Sequence, residues 1–498
     1  MSQPAAPLDV DLPEQIRIRR GKRAQFLSEG IDPYPASVPV TNSLEAVRES
    51  WGHLEAEQES GVEVGVAGRV VFVRNTGKLC FATLQSGAGA RLQVMLSLAV
   101  VGEELLARWK SLVDLGDHVF VRGQVLSSRR GELSVMAEQW QMASKALRPL
   151  PVLHKELSEE QRVRRRYVDL VVRDEAREMV RKRAAVMRAI RETLHQQAFL
   201  EVETPTLQTI HGGANARPFT THLNAFDLPM TLRIALELYL KRAVVGGVDR
   251  VYEIGRIFRN EGIDSSHSPE FTMLEAYAAY GDQRSMADLV HAIVLAAADA
   301  VGTRQCVSGT EVLDLDGTWA WLPFYDGLSA AVGQKVTVDT DASTMQGLAV
   351  GHGINIDPSS SGPKIAMELF EALVEPTLMQ PTFVCDYPAI AQPLARPHRS
   401  KPGLIEAWDL IIGGTERATA FTELVDPEIQ RARLVEQSLR AAGGDLEAMQ
   451  VDEDFLQALE HAAPPMGGLG LGIDRLMMLL TGVGIRETIL FPFVKPTA

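Results

Sequence analysis

Cysteine is scarce. Cys80, Cys306 and Cys385 are the whole complement of a 498-residue chain, and they lie far apart with no CxxC pair. That argues against a structural zinc site and against a disulfide framework, and leaves buried, inert thiols as the expectation. No apolar run reaches the roughly 18 residues that span a bilayer, so no membrane partner is expected. The opening segment, MSQPAAPLDVDLPEQ, has no signal-peptide core, which places the protein in the cytoplasm. Neither GxxxxGK[ST] nor a strand-linked GxGxxG occurs, so the usual phosphate loops are missing. Internal repeats and low-complexity stretches are also lacking. Positive charge is in deficit, the net charge being −14. A protein that binds RNA with its whole surface would be basic, so any RNA contact here must come from local basic patches on an acidic body.

What remains is ordinary for a soluble globular chain, with 46% apolar and 23% charged residues, and its length implies two or more domains. Residues 1–60 are expected to form an N-terminal helical extension. In it Arg17, Arg19, Arg20, Lys22 and Arg23 surround Ile16, Ile18 and Phe26 on one helix-like stretch, stopped by Gly30. Those cations suit either RNA or a solvated helix face. From Gly65 to Met142 the pattern changes to five short β-branched runs with a helical stretch, Glu103 to Leu112, inserted late. This predicts a Greek-key barrel of the OB type over residues 61–148. Such barrels bind single-stranded nucleic acid on one face, and Arg69, Phe81 and Gln93 lie on successive strands where that face would form. The competing reading makes Phe81 a core residue. Residues 149–175 read as a linker, although Ser158 to Val172 has helical periodicity. The rest, 176–498, mixes strands and helices without regular βα alternation, which disfavours a doubly wound parallel sheet. Residues 282–380 look like a helical insertion.

Three separated segments carry chemistry. FLEVETPTL (199–207) follows a long helix, and Pro205 suits a strand end. FRNEG (258–262), with His267 and Phe271 in HSPEF, gathers the parts of a nucleotide site without a P-loop. Arg259 offers a planar fork for phosphate, Glu261 can accept from an exocyclic amine, and Phe271 can stack on a base. GLGLGIDRL (468–476) alternates glycines along a strand that admits close approach, then sets Arg475 at a helix start. Each alone is weak.

In this order the three resemble motifs 1, 2 and 3 of class II aminoacyl-tRNA synthetases. EQIRIRRGKR, GIDPYP, RRRYVDL, EVETP, ELYLKR, FRNEG, PEFTMLEAY and GIDRL are similar to lysyl-tRNA synthetases of bacterial type, and the likeness covers about residues 12–496. It implies an α+β fold, an antiparallel-sheet catalytic domain behind an N-terminal OB barrel that binds the anticodon of tRNA-Lys. It implies a homodimer with Pro205 at the interface, and ATP and L-lysine as substrates. It also implies roles for single residues. Arg259 would hold the α-phosphate and the lysine carboxylate, Glu261 the adenine amine, Phe271 the adenine ring, and His267 with Arg475 the outer phosphates. Asp409 and Glu416 would bind Mg²⁺. Glu275 and Glu423, with Tyr277 beside them, would take the ε-ammonium; Gly213 and Glu237 would take the α-amino group; Thr419 and Phe421 would complete the lysine pocket. A buried ammonium needs such carboxylates, because desolvating it unpaired is prohibitive.

Several positions depart from the family's usual residues. Ala198 and Ala420 replace Gly, Ala235 replaces Pro, Thr419 replaces Asn, Asp409 replaces Glu, and Arg417 puts a charge where an apolar residue is typical. Ala420 is expected to add a methyl beside the amino-acid pocket. Three rival readings follow: a related enzyme passing lysine to another acceptor, a catalytically weak RNA-binding or regulatory paralogue, and an aspartate- or asparagine-activating enzyme. The intact barrel, the retained arginines and the paired glutamates argue against them in turn.

Overall fold

The computed structural model describes residues 13–151, 157–264, 267–445 and 447–496. The chain divides into two compact units, Met1–Arg177 and Glu178–Ala498.

In the first unit, α1 (Glu14–Ser28) and α2 (Leu44–Trp51) precede β1 (Glu59–Asn75), β2 (Leu79–Gln85), β3 (Arg91–Ser97), α3 (Leu98–Leu112), β4 (His118–Ser127) and β5 (Leu133–Ser144). The five strands close a barrel in the order β1-β2-β3-β5-β4, with α3 between β3 and β4. Period-two alternation sends Cys80, Ala82 and Leu84 of β2, and Leu92, Val94 and Leu96 of β3, into the interior. Phe26, Leu44 and Val47 are buried in the same core. Residues 13–60 are therefore part of the barrel unit and not a separate extension, and β1 already starts at Glu59. Two of the five basic residues of α1 are held inside this unit. Arg19 is buried, donating to the Leu115 and Ala146 carbonyls at 2.9 and 3.2 Å, and Lys22 meets Asp114 at 2.7 Å. The expected linker is also largely structured: α4 (Glu159–Arg164) and α5 (Arg166–Val172) lead into α6 (Asp174–Gln196). Buried Asp169 accepts from Arg166 at 2.6 Å and Arg173 at 2.7 Å, which fixes the α5–α6 junction. Residues 152–156 of that segment lie outside the described ones.

The second unit holds β6 (Leu200–Glu201), a small sheet of β7 (Leu207–Gln208), β8 (Thr220–Leu223) and β9 (Leu228–Leu232), then α7 (Glu237–Val245), β10 (Arg250–Phe258) and β11 (Glu270–Ala279). Next come α8 (Gln283–Val301), the hairpin β12 (Gln305–Ser308) and β13 (Glu311–Asp314), β14 (Ala320–Pro323), α9 (Phe324–Val332), α10 (Ala342–Gly351) and α11 (Gly362–Leu373). The chain ends with β15 (Thr382–Cys385), β16 (Ala407–Ile411), β17 (Glu416–Thr422), α12 (Pro427–Ala442), α13 (Glu453–Glu460), β18 (Met466–Gly472) and α14 (Ile473–Thr481). Eight strands make one sheet, β14-β15-β16-β17-β18-β11-β10-β6. It is antiparallel except at its edges, where β14 runs parallel to β15 and β6 parallel to β10. Residues 282–380 are thus more than a helical insertion. The α8 residues Met286, Val290, Ile293 and Ala297, spaced on one helical face, bury against Leu274, Ala276, Ala418 and Leu471 of the central strands. β14 completes the sheet, and only α9 to α11 form a cluster of their own, with Val384 and Ile411 beneath them.

Motif 1 forms less strand than expected. β6 ends at Glu201, so Pro205 lies in the exposed segment beyond it. A buried network anchors that segment: Thr204 donates its backbone and hydroxyl to Glu253 of β10 at 2.9 and 2.6 Å, and Glu253 pairs with Arg233 at 2.6 Å. Ala198, just before β6, has φ of +61°. That left-handed conformation favours glycine, since a Cβ is strained in it.

Candidate active site

One face of the central sheet is apolar and covered by α8; the other walls a cavity of about 330 Å³. Alternation sorts the side chains. In β11, Leu274, Ala276 and Ala278 enter the core, while Phe271, Met273, Glu275 and Tyr277 face the cavity. In β17, Ala418 and Ala420 enter the core, while Thr419 and Phe421, and Glu423 just past the strand, face the cavity. Ala420 is thus buried away from the amino-acid pocket, and its methyl is a core contact, contrary to expectation. The glycines of β18 form the floor. A Cβ built at Gly468 would overlap Glu423 Oε1 and the Tyr277 ring, so only glycine leaves room for both. Gly213, at φ +88°, closes the amino-acid end, where a Cβ would meet those of Ala235 at 2.9 Å and Glu237 at 3.2 Å.

That end is a carboxylate pocket. Glu237, Glu275 and Glu423 are all buried. Glu275 accepts from the Leu236 amide at 2.9 Å and from the Tyr277 hydroxyl at 3.1 Å. Lys241, one turn along α7 from Glu237, is buried as well; its Nζ lies 2.5 Å from Glu237 Oε1 and also pairs with Glu423 Oε2. Burial, then Glu237, push Glu275 up to about 7. Burial likewise raises Glu423 to about 8, with Lys241 opposing and Glu237 and Glu275 adding to the rise. Burial alone would lower Lys241, but the two glutamates outweigh it and its affinity for the proton is raised. Three carboxylates therefore face one internal ammonium, and Glu423 Oε1 is buried with no hydrogen-bond partner among the described residues. The pocket is built for a further cation.

The other end is cationic. Arg259 ends β10 and lies 5.3 Å from the Phe271 ring centroid, its Nε buried and unpartnered among the described residues. Arg475 opens the first turn of α14, with Nη2 3.5 Å from His267 Nε2. Asp474 fixes that helix start, accepting from the Thr272 amide at 2.7 Å and from Arg183 at 2.5 Å. Glu261 and Glu416 also stand on the wall. Every residue expected to bind nucleotide or lysine lines this one cavity. Asp409 does not; it lies on β16 across from Thr419, where burial and then Glu416 push its carboxyl up to about 7 against hydrogen bonds with Thr419 and Tyr387. Sequence reasoning missed Asn215 and Gln392 on the wall and gave Lys241 no role, although Glu237 and Lys241 at i and i+4 of one helix signal a pair.

On the barrel, register places Thr83 opposite Gln93 and Arg74 opposite Phe81 on the outer surface. Phe81 is half-buried, so it is not a core residue, and Arg74 lies over its ring at 4.9 Å. Gln93 donates to the Ser134 hydroxyl at 2.8 Å. Arg69 stands further along, opposite Gln85, donating to the Gly116 carbonyl at 2.9 Å. Phe72, opposite Thr83 and 52% exposed, joins this face and was not anticipated. A bulge between Val70 and Phe72 breaks the β1 alternation and turns Phe72 outward.

An eight-stranded, mainly antiparallel sheet carrying a nucleotide-sized site, in a chain that also holds a five-stranded closed barrel, defines a class II aminoacyl-tRNA synthetase. Residues 158–495 match the model of the tRNA synthetases class II (D, K and N), and residues 64–143 match the OB-fold nucleic acid binding domain. The chain is 58% identical to the lysine–tRNA ligase of Kineococcus radiotolerans, over 98% of both chains. It is 56% identical to that of Mycolicibacterium gilvum, over 99% of both. To the lysylphosphatidylglycerol biosynthesis bifunctional protein LysX of Mycobacterium marinum it is 47% identical, over 97% of this chain but only 44% of that protein. The chain belongs to the lysine–tRNA ligase family.

Proposed function

We infer that this chain activates L-lysine with ATP and joins it to the 3′-terminal adenosine of tRNA-Lys. The observation that carries the choice of amino acid is the buried pocket of Glu237, Glu275 and Glu423 around the single Lys241. With all four ionised its net charge is −2, which two substrate ammonium groups neutralise; an aspartate side chain would be repelled. Glu275, Glu423 and Tyr277 take the ε-ammonium, and Gly213 and Glu237 the α-amino group. Thr419 and Phe421 wall the chain between them. Arg259 then meets the lysine carboxylate and the α-phosphate together.

A carboxylate oxygen attacks the α-phosphorus, the bond to the bridging β-oxygen breaks, and pyrophosphate leaves. The terminal adenosine hydroxyl next attacks the lysyl carbonyl, AMP leaves, and the hydroxyl proton departs with it or to solvent. No protein nucleophile is needed; the chain positions the reactants and stabilises charge. Phe271 and Glu261 hold adenine, and His267 and Arg475 the outer phosphates. Asp409 and Glu416 suit Mg²⁺, whose charge would offset the burial and the Glu416 repulsion that raise Asp409. Among the described residues no three ligand side chains converge. Phosphate oxygens would therefore complete the shell, as Mg²⁺ prefers, and the ion would there neutralise phosphate charge.

On the barrel, Phe81, Gln93 and Arg69 form the anticodon surface, with Phe72 beside them. Pro205 stands at a two-fold homodimer interface, its exposed neighbours Leu200 and Leu207 supplying apolar surface. No helix among the described residues is long and apolar enough to cross a membrane, and charging tRNA fits a cytoplasmic location. Aminoacylation tests the acceptor: tRNA-Lys should be charged in preference to other tRNAs. Brisk adenylate formation without charging would favour a different acceptor. Light scattering should give a dimer mass at micromolar concentration, and a monomer would remove Pro205 from an interface.

A further inference from the structure

Arg417 is buried in the cavity wall of β17. Its Nε donates to the Ile412 carbonyl at 3.1 Å and its Nη1 to the Arg475 carbonyl at 3.1 Å. No carboxylate pairs with it among the described residues. The Arg475 guanidinium is near enough to repel it, and burial followed by that repulsion lowers Arg417 to about 10. Arg259, on the other flank, is repelled by Arg475 too. Three guanidiniums thus stand in one cavity, and among the described residues the ion pair joining one of them to a carboxylate is Arg475 to Glu416, at a long 3.9 Å. Glu261 and Glu416 supply only part of the countercharge. A buried cation without an anion is costly, and two adjacent ones more so. The arrangement is relieved by a ligand carrying several negative charges, and the fork of Arg417 has its Nη2 left for one.

We propose that Arg417 is a further polyphosphate-binding residue of this active site, contacting the pyrophosphate end of the nucleotide alongside Arg475. This rests on the synthetase reading of the cavity. The competing role is structural, because the two carbonyl contacts tie the β16–β17 hairpin to the start of α14.

The test uses the full-length protein with Arg417→Met, which keeps the stem, and Arg417→Lys, which keeps the charge. In lysine-dependent ATP–pyrophosphate exchange, R417M should raise the KM for ATP and for pyrophosphate about tenfold or more, as loss of a charged hydrogen bond does, while the lysine KM stays put. R417K should recover much of that loss. Calorimetric titration with magnesium pyrophosphate should show the same weakening, and titration with adenosine should show none. Equal pyrophosphate affinity in R417M and wild type overturns the proposal. So does a parallel fall in lysine, adenosine and pyrophosphate binding together with the melting temperature, which is the mark of the structural role. If R417M does not fold, Arg417→Gln replaces it, keeping a donor for the carbonyls without the charge: weakened pyrophosphate affinity with unchanged adenosine affinity supports the contact, and pyrophosphate affinity equal to wild type overturns the proposal. Were the wild type to show no exchange, the synthetase reading would fail, and the pyrophosphate titrations would still judge Arg417.

Discussion

Replacing Lys241 with Met keeps the stem in its slot and deletes the one cation among three buried glutamates. Removing one partner of a buried ion pair commonly costs about 3–5 kcal/mol, because the remaining charge is stranded. Here the pocket has an escape: a stranded carboxylate can take up a proton. Glu423 already stands at about 8 with Lys241 opposing the rise, so deleting Lys241 moves it further up. Two pH slopes follow. A carboxyl whose folded pKa lies above its unfolded value favours folding most at low pH, and that contribution is lost as pH rises through the folded value. The stability deficit of K241M against wild type should therefore be small near pH 6 and grow once pH passes about 8, by up to about 1.4 kcal/mol per pH unit. Lysine affinity should follow the same course. Near pH 6 Glu423 is protonated in both proteins, so the ratio of mutant to wild-type lysine KM should be close to one there and rise above about pH 8, where only the wild-type carboxylate ionises. Urea melts and lysine-dependent exchange, each run across that range with K241M and wild type, read both slopes. A stability deficit and a lysine KM ratio that are both flat with pH would refute the charge reasoning and leave Lys241 as packing.

Replacing Glu275 or Glu423 with Gln should weaken lysine binding by roughly 2–5 kcal/mol while the ATP KM holds, and unchanged lysine kinetics in both would remove them from the pocket. In the wild type the lysine KM should fall from about pH 6 to about pH 8.5 as Glu275, at about 7, and Glu423, at about 8, ionise. Arg259→Ala should abolish exchange with the melting temperature unchanged; survival at near wild-type rate would clear Arg259 of its role. Phe81→Ala should cost about 1–3 kcal/mol in tRNA affinity and leave exchange normal, whereas a joint loss with the circular dichroism signal would return Phe81 to the core. Ala198→Gly should stabilise by up to about 1 kcal/mol in a urea melt, because φ of +61° strains the Cβ.

Local signals read well where one rule governed. Period-two alternation found the five barrel strands, and the glycines of β18 marked a floor that a Cβ would fill. The nucleotide and lysine residues came from resemblance, and one cavity gathers them. Reading failed where long-range packing decides. Nothing local says that α8 buries against the central strands or that β14 closes their edge, so 282–380 looked like an insertion. Phe26 and Leu44 join the barrel core through contacts made far along the chain. The face of Ala420 depended on the register of β17, which a bulge near Ile411 shifts, and the exposure of Phe72 on a bulge in β1. Lys241 was passed over because a helical Glu–Lys pair is usually a solvated one, and only the fold shows it sealed beside Glu423.

Selection of lysine by this cavity, and its joining to AMP, are read by ATP–pyrophosphate exchange, measured with the wild-type protein against ornithine and each standard amino acid in turn. Exchange should be driven strongly by lysine, weakly by ornithine, whose missing methylene costs about 10–200-fold, and not by aspartate or asparagine. Equal or faster exchange with any acidic or neutral amino acid would contradict the carboxylate pocket and the account built on it.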